Sequence, residues 1–181
     1  MSKILLYSAL GGFTSFVASL ALLTLEFVIG DKSSAIYISL SIINGIAYGL
    51  FIYGFFAIGK KLKNKLLKNI SLVFIFITIA SVVSSLTIRN AEWVTSDVRY
   101  SIALLVMLSV VSIYFGRALL TLQNTFGKNA KRLGLLLIIA GVTIATVLLS
   151  VIGIILLALF DILGSLFLLK ARKKLNESAL Q

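Results

Sequence analysis

Apolar residues run along this chain in five long stretches, Ile4–Ile29, Ala35–Gly59, Leu66–Ile88, Tyr100–Phe115 and Leu133–Leu169, separated by short polar segments. A helix needs about 20 apolar residues to cross the hydrocarbon core of a bilayer, so each of the first four suits one crossing. The fifth runs for 37 residues. As one straight helix it would extend about 55 Å, against a core of about 30 Å, and tilt does not absorb that excess. It is expected to fold back as Leu133–Leu149 and Gly153–Leu169, turning near Ser150–Gly153, although no Pro or charged residue marks the turn. The pattern predicts an all-α, polytopic membrane helix bundle. One transmembrane domain over 1–181 holds about six helices, spanning roughly 4–29, 35–59, 66–88, 100–116, 133–149 and 153–169.

The placement of positive charge tests this division, because Lys and Arg gather in cytoplasmic loops. With six crossings and the N-terminus inside, the inner side carries Lys3, Lys60, Lys61, Lys63, Lys65 and Lys68. It also carries Arg117, Lys128, Lys131, Arg132, Lys170, Arg172, Lys173 and Lys174. These are 14 of the 17 cationic residues, leaving Lys32, Arg89 and Arg99 outside. Five crossings would put the basic tail on the wrong side. Both termini are therefore expected in the cytoplasm, with the chain multi-pass in the cell membrane.

Composition agrees: 60% of residues are hydrophobic, 13% are charged and the mean hydropathy is +1.11. Soluble domains carry roughly a quarter of their residues as charges. Lys3 followed by Ile4–Ile29 has the outline of a signal peptide, but the apolar run is too long for one, so it is expected to remain as a helix. The chain has no Cys and no His. It thus lacks the usual ligands of iron–sulfur clusters, haem, copper and zinc, along with thiol nucleophiles and Ser-His-Asp catalysis. No cofactor and no catalytic constellation are expected, and the chain alone is not expected to be an enzyme. A metal-free redox role through quinone contact is physically open but has no specific support.

Two inner loops have apolar residues at helical spacing. Ile58, Leu62 and Leu66 repeat opposite lysines, and Leu119, Leu122 and Phe126 lie between Arg117 and Lys128. Both read as short amphipathic extensions at the inner headgroup level. Their charge serves topology and attraction to anionic lipid more readily than docking of an acidic partner, and no nucleic-acid partner is expected. Trp93, Tyr37 and Tyr100 suit an outer aromatic belt, and Tyr7, Tyr53 and Tyr114 an inner one.

Asp161 is the sharpest candidate for chemistry. It lies eight residues from each end of the sixth span, near the bilayer centre, where a charged side chain costs roughly 3 kcal/mol on insertion scales. No span offers a central Lys or Arg to it. Ser165 is one i+4 step away, with Ala158 and Gly164 alongside, making a narrow polar stripe that must face protein or water. Two readings stand: a proton or cation relay, or a protonated carboxyl bonded to a neighbouring helix. Glu26, near the outer end of the first span, reads as a solvated end residue.

Small residues form stripes that let helices approach closely in lipid. Gly11, Ser15 and Ser19 do so on the first span, Ser41, Gly45, Gly49 and Tyr53 on the second, and Gly141 with Ala145 on the fifth. These faces serve either internal packing or another subunit. Asn44, beside Gly45, is a candidate interhelical hydrogen bonder and, with Ser39 and Ser41, supplies the polar content of the second span. The chain has no Pro, no paired helix interruptions of the kind transporters use, and no filter-like Gly run.

The stretch Phe126-Gly-Lys-Asn-Ala-Lys-Arg-Leu-Gly, the apolar hairpin after it and the terminal Lys-Ala-Arg-Lys-Lys resemble uncharacterised multi-pass membrane protein families of archaea. The resemblance spans about the C-terminal half. It implies an archaeal source and no activity. Missing ligands, small-residue faces and minimal outer loops lead the functional expectation to a non-catalytic, small hydrophobic accessory subunit of a larger membrane complex, respiratory or energy-converting, in contact with lipids and other membrane subunits. The alternative is a small proton- or cation-coupled transporter or channel using Asp161, with Ser165 and Asn44 along its path.

Overall fold

The computed structural model describes residues 1–28, 35–87, 98–146 and 150–177. Among them are six long helices and one of a single turn, with no strand: α1 (Ser2–Val28), α2 (Ala35–Lys61), α3 (Lys65–Thr87), α4 (Val98–Leu120), α5 (Gln123–Phe126), α6 (Lys128–Ala145) and α7 (Ser150–Glu177). Helices follow from the sequence because no Pro interrupts the backbone ladder, and a helix pairs its own N–H and C=O groups where water cannot. Ser2–Leu25, Ala35–Lys61 and Ile152–Glu177 are long and apolar enough to cross a membrane. They mark this as a membrane-associated helical protein. The outer-loop residues Asp31, Lys32, Arg89 and Trp93, and the side chains of Glu26, Arg99 and Tyr100, lie outside the described residues.

The turns correct three expectations. The long apolar stretch parts between Ala145 and Ser150, ahead of the expected Ser150–Gly153. Gly153 lies inside α7, where a methyl group on it would stand 3.0 Å from the Ala140 carbonyl oxygen. The run Ile58–Leu62–Leu66 is not one helical extension. α2 ends at Lys61, Lys63 takes a left-handed conformation (φ 53°), and Asn64 Oδ1 accepts from the Leu67 N–H at 3.0 Å, capping α3. Ile58 is consequently buried while Leu66 is 42% exposed. The second extension turns inward: Leu119 and Leu122 are buried, and Phe126 meets Phe167 edge-on at 5.1 Å.

Each long helix packs on the next, and α7 packs against both α6 and α1, so the helices close into a ring, with α2 and α7 also touching across it. The start of α1 and the end of α7 meet there: Arg172 Nε donates to Ser2 Oγ at 2.8 Å, and Asn176 Nδ2 to the same oxygen at 3.2 Å. The turns join the same end. Asn64 Nδ2 donates to Thr121 Oγ1 at 2.6 Å, Lys61 Nζ to the Leu175 carbonyl, and Lys174 Nζ to the Thr125 carbonyl. One end of the bundle thus gathers the start of α1, the end of α7 and the three Lys/Arg-rich segments.

Helices α4 and α6 approach most closely through small residues matched in antiparallel register. A methyl on Gly134 would stand 2.7 Å from the Gly116 carbonyl oxygen, and one on Gly116 2.6 Å from that of Gly134. Seven residues along each helix, Ser109 Oγ donates to the Gly141 carbonyl at 2.8 Å. The small residues let the two backbones come this close, and the Ser109 hydrogen bond adds to the contact. Gly134→Val is expected to cost about 2 kcal/mol, as overpacking does, and to lower the unfolding midpoint of the detergent-solubilised protein. Gly49→Val, where no atom lies within 4 Å, is expected to leave the midpoint in place.

The ring is filled, toward its basic end, by phenylalanines. Phe55 meets Phe51 and Phe115 edge-on at 5.3 Å each and stacks on Phe160 at 5.8 Å and Phe167 at 6.0 Å. Phe115 also meets Phe74 at 5.3 Å. All these rings are buried, and edge-to-face geometry adds to their packing.

Candidate functional site

Farther from the basic end, a cavity lies between the described helices. It measures about 370 Å³ and extends from Asp161 to Leu22 on α1, Val82 on α3 and Ile154 on α7. Its polar lining comes from Ser15 and Ser19 on α1, Ser41 and Asn44 on α2, Thr78 on α3 and Asp161 on α7. Ordinary helical geometry aims these groups inward. With about 100° per residue, Ser41, Asn44, Gly45 and Tyr48 share one face of α2, and Ala158, Asp161 and Ser165 share one of α7. Ser15 and Ser19 are one turn apart on α1.

Asp161 is 5% exposed and poorly partnered. Its Oδ2 accepts from Ser15 Oγ at 3.3 Å, and its Oδ1 is buried with no hydrogen-bond partner. A hydroxyl bonded to a carboxylate normally stands at 2.5–2.7 Å, so this bond is long. A buried anion held by one long bond is inadequately stabilised. A proton on the carboxyl, or a cation beside it, would supply what that one bond does not.

The rest of the polar lining forms a chain leading away from Asp161. Ser15 Oγ donates to Asn44 Oδ1 at 2.9 Å; Asn44 Nδ2 donates to Ser19 Oγ at 3.2 Å, and Ser19 Oγ to Asn44 Oδ1 at 3.4 Å. A serine has a single hydroxyl proton, so Ser15 serves Asn44 or Asp161, not both together. With Asp161 ionised, Ser15 turns to the carboxylate and Ser19 satisfies Asn44 Oδ1. With Asp161 protonated, the carboxyl donates to Ser15 Oγ and Ser15 donates to Asn44. The chain therefore has two hydrogen-bond patterns, selected by the charge on Asp161.

Of the residues singled out from sequence, the structure brings Asp161, Asn44, Ser15, Ser19, Ser41 and Gly45 to this one cavity. Ser165 is buried and spends its hydroxyl on the Asp161 backbone carbonyl at 2.7 Å. It packs beside Gly12, where a methyl group would collide with it, and so positions α7 against α1. Gly11 packs on the Ala47 carbonyl of α2, and Gly141 on α4. Gly49, Tyr53 and Ala145 are not brought in: Gly49 faces open space, and Tyr53 and Ala145 are exposed. An i+4 line drifts around a helix by about 40° per step, which carries the stripe from Ser41 off the inner face before Tyr53. Tyr48, Phe74 and Thr78 also line the cavity without having been singled out. Tyr48 was legible as the i+4 neighbour of Asn44; Phe74 and Thr78 had no such signal.

No family model, curated protein or solved structure matches the chain.

Proposed function

We propose that the protein is a small membrane carrier in which Asp161 exchanges a proton for a cation at the base of the cavity. The carrying observation is the buried carboxylate oxygen without a partner, at a point where groups from α1, α2 and α7 converge. Intramembrane carboxylates that face a cavity mark ion pathways and proton relays. The phenylalanine plug between Asp161 and the basic end supports a form closed on that side. The cavity, on the far side of Asp161 from that plug, supports access from the other.

This reading includes six crossings in the cell membrane with both termini cytoplasmic. Its support is the charge distribution and the meeting of the start of α1, the end of α7 and the basic turns at one end. The chain has no Cys, so single cysteines report side without background. Lys3→Cys, Lys65→Cys, Asn124→Cys and Glu177→Cys are all expected to be protected from a membrane-impermeant maleimide in intact cells and labelled after permeabilisation. Labelling of any one in intact cells contradicts the topology.

The carrier itself is tested in proteoliposomes. Reconstituted protein is expected to dissipate an imposed proton gradient when a transported cation is present on the opposite side. Vesicles as tight as protein-free ones, across a panel of inorganic and organic cations, would sink the proposal.

A second reading, the accessory subunit, is favoured by the outer face of α2. There Gly49 opens a notch among the exposed side chains of Ile46, Leu50 and Tyr53, and small residues at a surface suit a partner helix. Co-purification of a stoichiometric membrane partner in mild detergent, lost in Gly49→Leu, would establish it.

A further inference from the structure

The cavity is too roomy and too apolar for a bare ion. About 370 Å³ falls within the range of small-molecule pockets, roughly 300–1,000 Å³. A hard divalent cation takes six or more oxygens, whereas among the described residues the cavity offers one carboxylate, one amide and scattered hydroxyls. The remaining wall is Leu22, Ile77, Val82, Leu108, Ile154 and Leu157, with the rings of Tyr48 and Phe74 6.2 Å apart and tilted by 60°. A wall of apolar and aromatic side chains with one carboxylate suits the apolar body of an organic cation. Asp161 and Tyr48 are the only titratable groups lining the cavity among the described residues; α1, α3 and α4 contribute none.

Ile77 has a second role. It also lines a wholly apolar crevice on the outside of the bundle, between α3 and α4, with Val73, Phe76, Ala80, Met107 and Val110. The cavity at Asp161 and this crevice thus share one side chain in their linings.

We propose that the cavity binds a hydrophobic organic monocation, an ammonium group on an apolar or aromatic body, with Asp161 as its counter-ion and the α3–α4 crevice as its lateral approach. This rests on the carrier reading and gives it a substrate class. Binding is a balanced exchange: the cation enters, the carboxyl proton leaves to solvent, and the charge of the site is the same before and after.

The test uses the full chain in lipid nanodiscs, with benzyltrimethylammonium chloride as probe and sodium and potassium chlorides as comparators. Calorimetry in two buffers of different ionisation heat reads both affinity and protons released. Saturable binding of the organic cation, with a proton released for each one bound, is expected. Asp161→Asn should weaken it by about thirtyfold or more and abolish the proton release. Ile77→Trp, which narrows the cavity and its wall, should weaken organic-cation binding and the proton release coupled to it, whereas Gly49→Val, where no atom lies within 4 Å, should leave both as in wild type, so a folding defect in one variant does not decide the matter. Equal binding to wild type and Asp161→Asn would overturn the proposal. So would proton release by sodium or potassium without any by the organic cation, although the carrier reading would then stand. Absence of proton exchange with every cation, together with absence of flux, would remove both.

Discussion

Asp161→Asn is expected to stop transport while leaving the bundle folded. Asparagine keeps the size and shape of the side chain and presents an oxygen to Ser15, so the long Ser15–Asp161 bond of 3.3 Å is replaced by an equivalent one. Interhelical hydrogen bonds in membranes are worth about 0.6 kcal/mol on average, and the unfolding midpoint should move little. Flux should move greatly. An amide neither takes up a proton nor balances a cation, and removal of a positioned proton-transfer group typically costs about a hundredfold or more. The two possible roles of Asp161 separate on this contrast. A structural hydrogen bonder would show little change in either measurement. An exchange site loses flux alone, read as dissipation of a proton gradient by vesicles with matched protein content.

Phe55→Ala is expected to have the largest effect on stability and to loosen the seal toward the basic end. Phe55 touches four other phenylalanines, Phe51, Phe115, Phe160 and Phe167, from α2, α4 and α7. Truncating a buried Phe to Ala costs about 3 kcal/mol or more, because the void left behind forfeits its contacts. Thermal unfolding in detergent should show a correspondingly lower midpoint. In vesicles, the same variant should leak protons without added cation, since the plug that separates Asp161 from the basic side is opened. Phe76→Ala offers the contrast. Phe76 faces outward and is largely exposed, and its loss should change neither the midpoint nor the leak.

How much of this was readable beforehand depended on whether a feature is local along the chain. The helices and the basic end were legible because apolar runs and Lys/Arg clusters are properties of contiguous segments. Asp161 was legible because one carboxylate in a long apolar run is conspicuous. Its surroundings were not: Ser15 and Asp161 lie 146 residues apart, and they meet only because α7 closes the ring against α1. Ser15 and Ser19 therefore read as a packing face, whereas their hydroxyls also build the chain to Asn44. Gly116 and Gly134 were missed for the same reason. Each sits on a small-residue step of its own helix, Ser112–Gly116 and Ala130–Gly134, but it matters through the carbonyl it meets on the other helix. The turn after α6 was misplaced because Thr146 carries no strong stop signal, so a glycine seven residues on drew the expectation to itself.

Loops misled in a different way. Ile58, Leu62 and Leu66 have helical spacing, but spacing does not show that Lys63 adopts a left-handed conformation and that Asn64 starts a new helix. The i+4 stripe on α2 failed by geometry, since four residues overshoot a turn. The line that lies along the cavity runs through Ser41, Asn44 and Tyr48 and leaves out Gly49.

The central claim is that the Asp161 carboxyl gives up its proton when a cation occupies the cavity. Infrared difference spectroscopy of the protein in lipid, with and without benzyltrimethylammonium, tests it at the group itself. The account predicts that cation binding removes a protonated-carboxyl C=O band and adds a carboxylate band, and that both features are missing in Asp161→Asn. A spectrum in which the cation binds but no carboxyl band changes, or in which the change persists in Asp161→Asn, would contradict it.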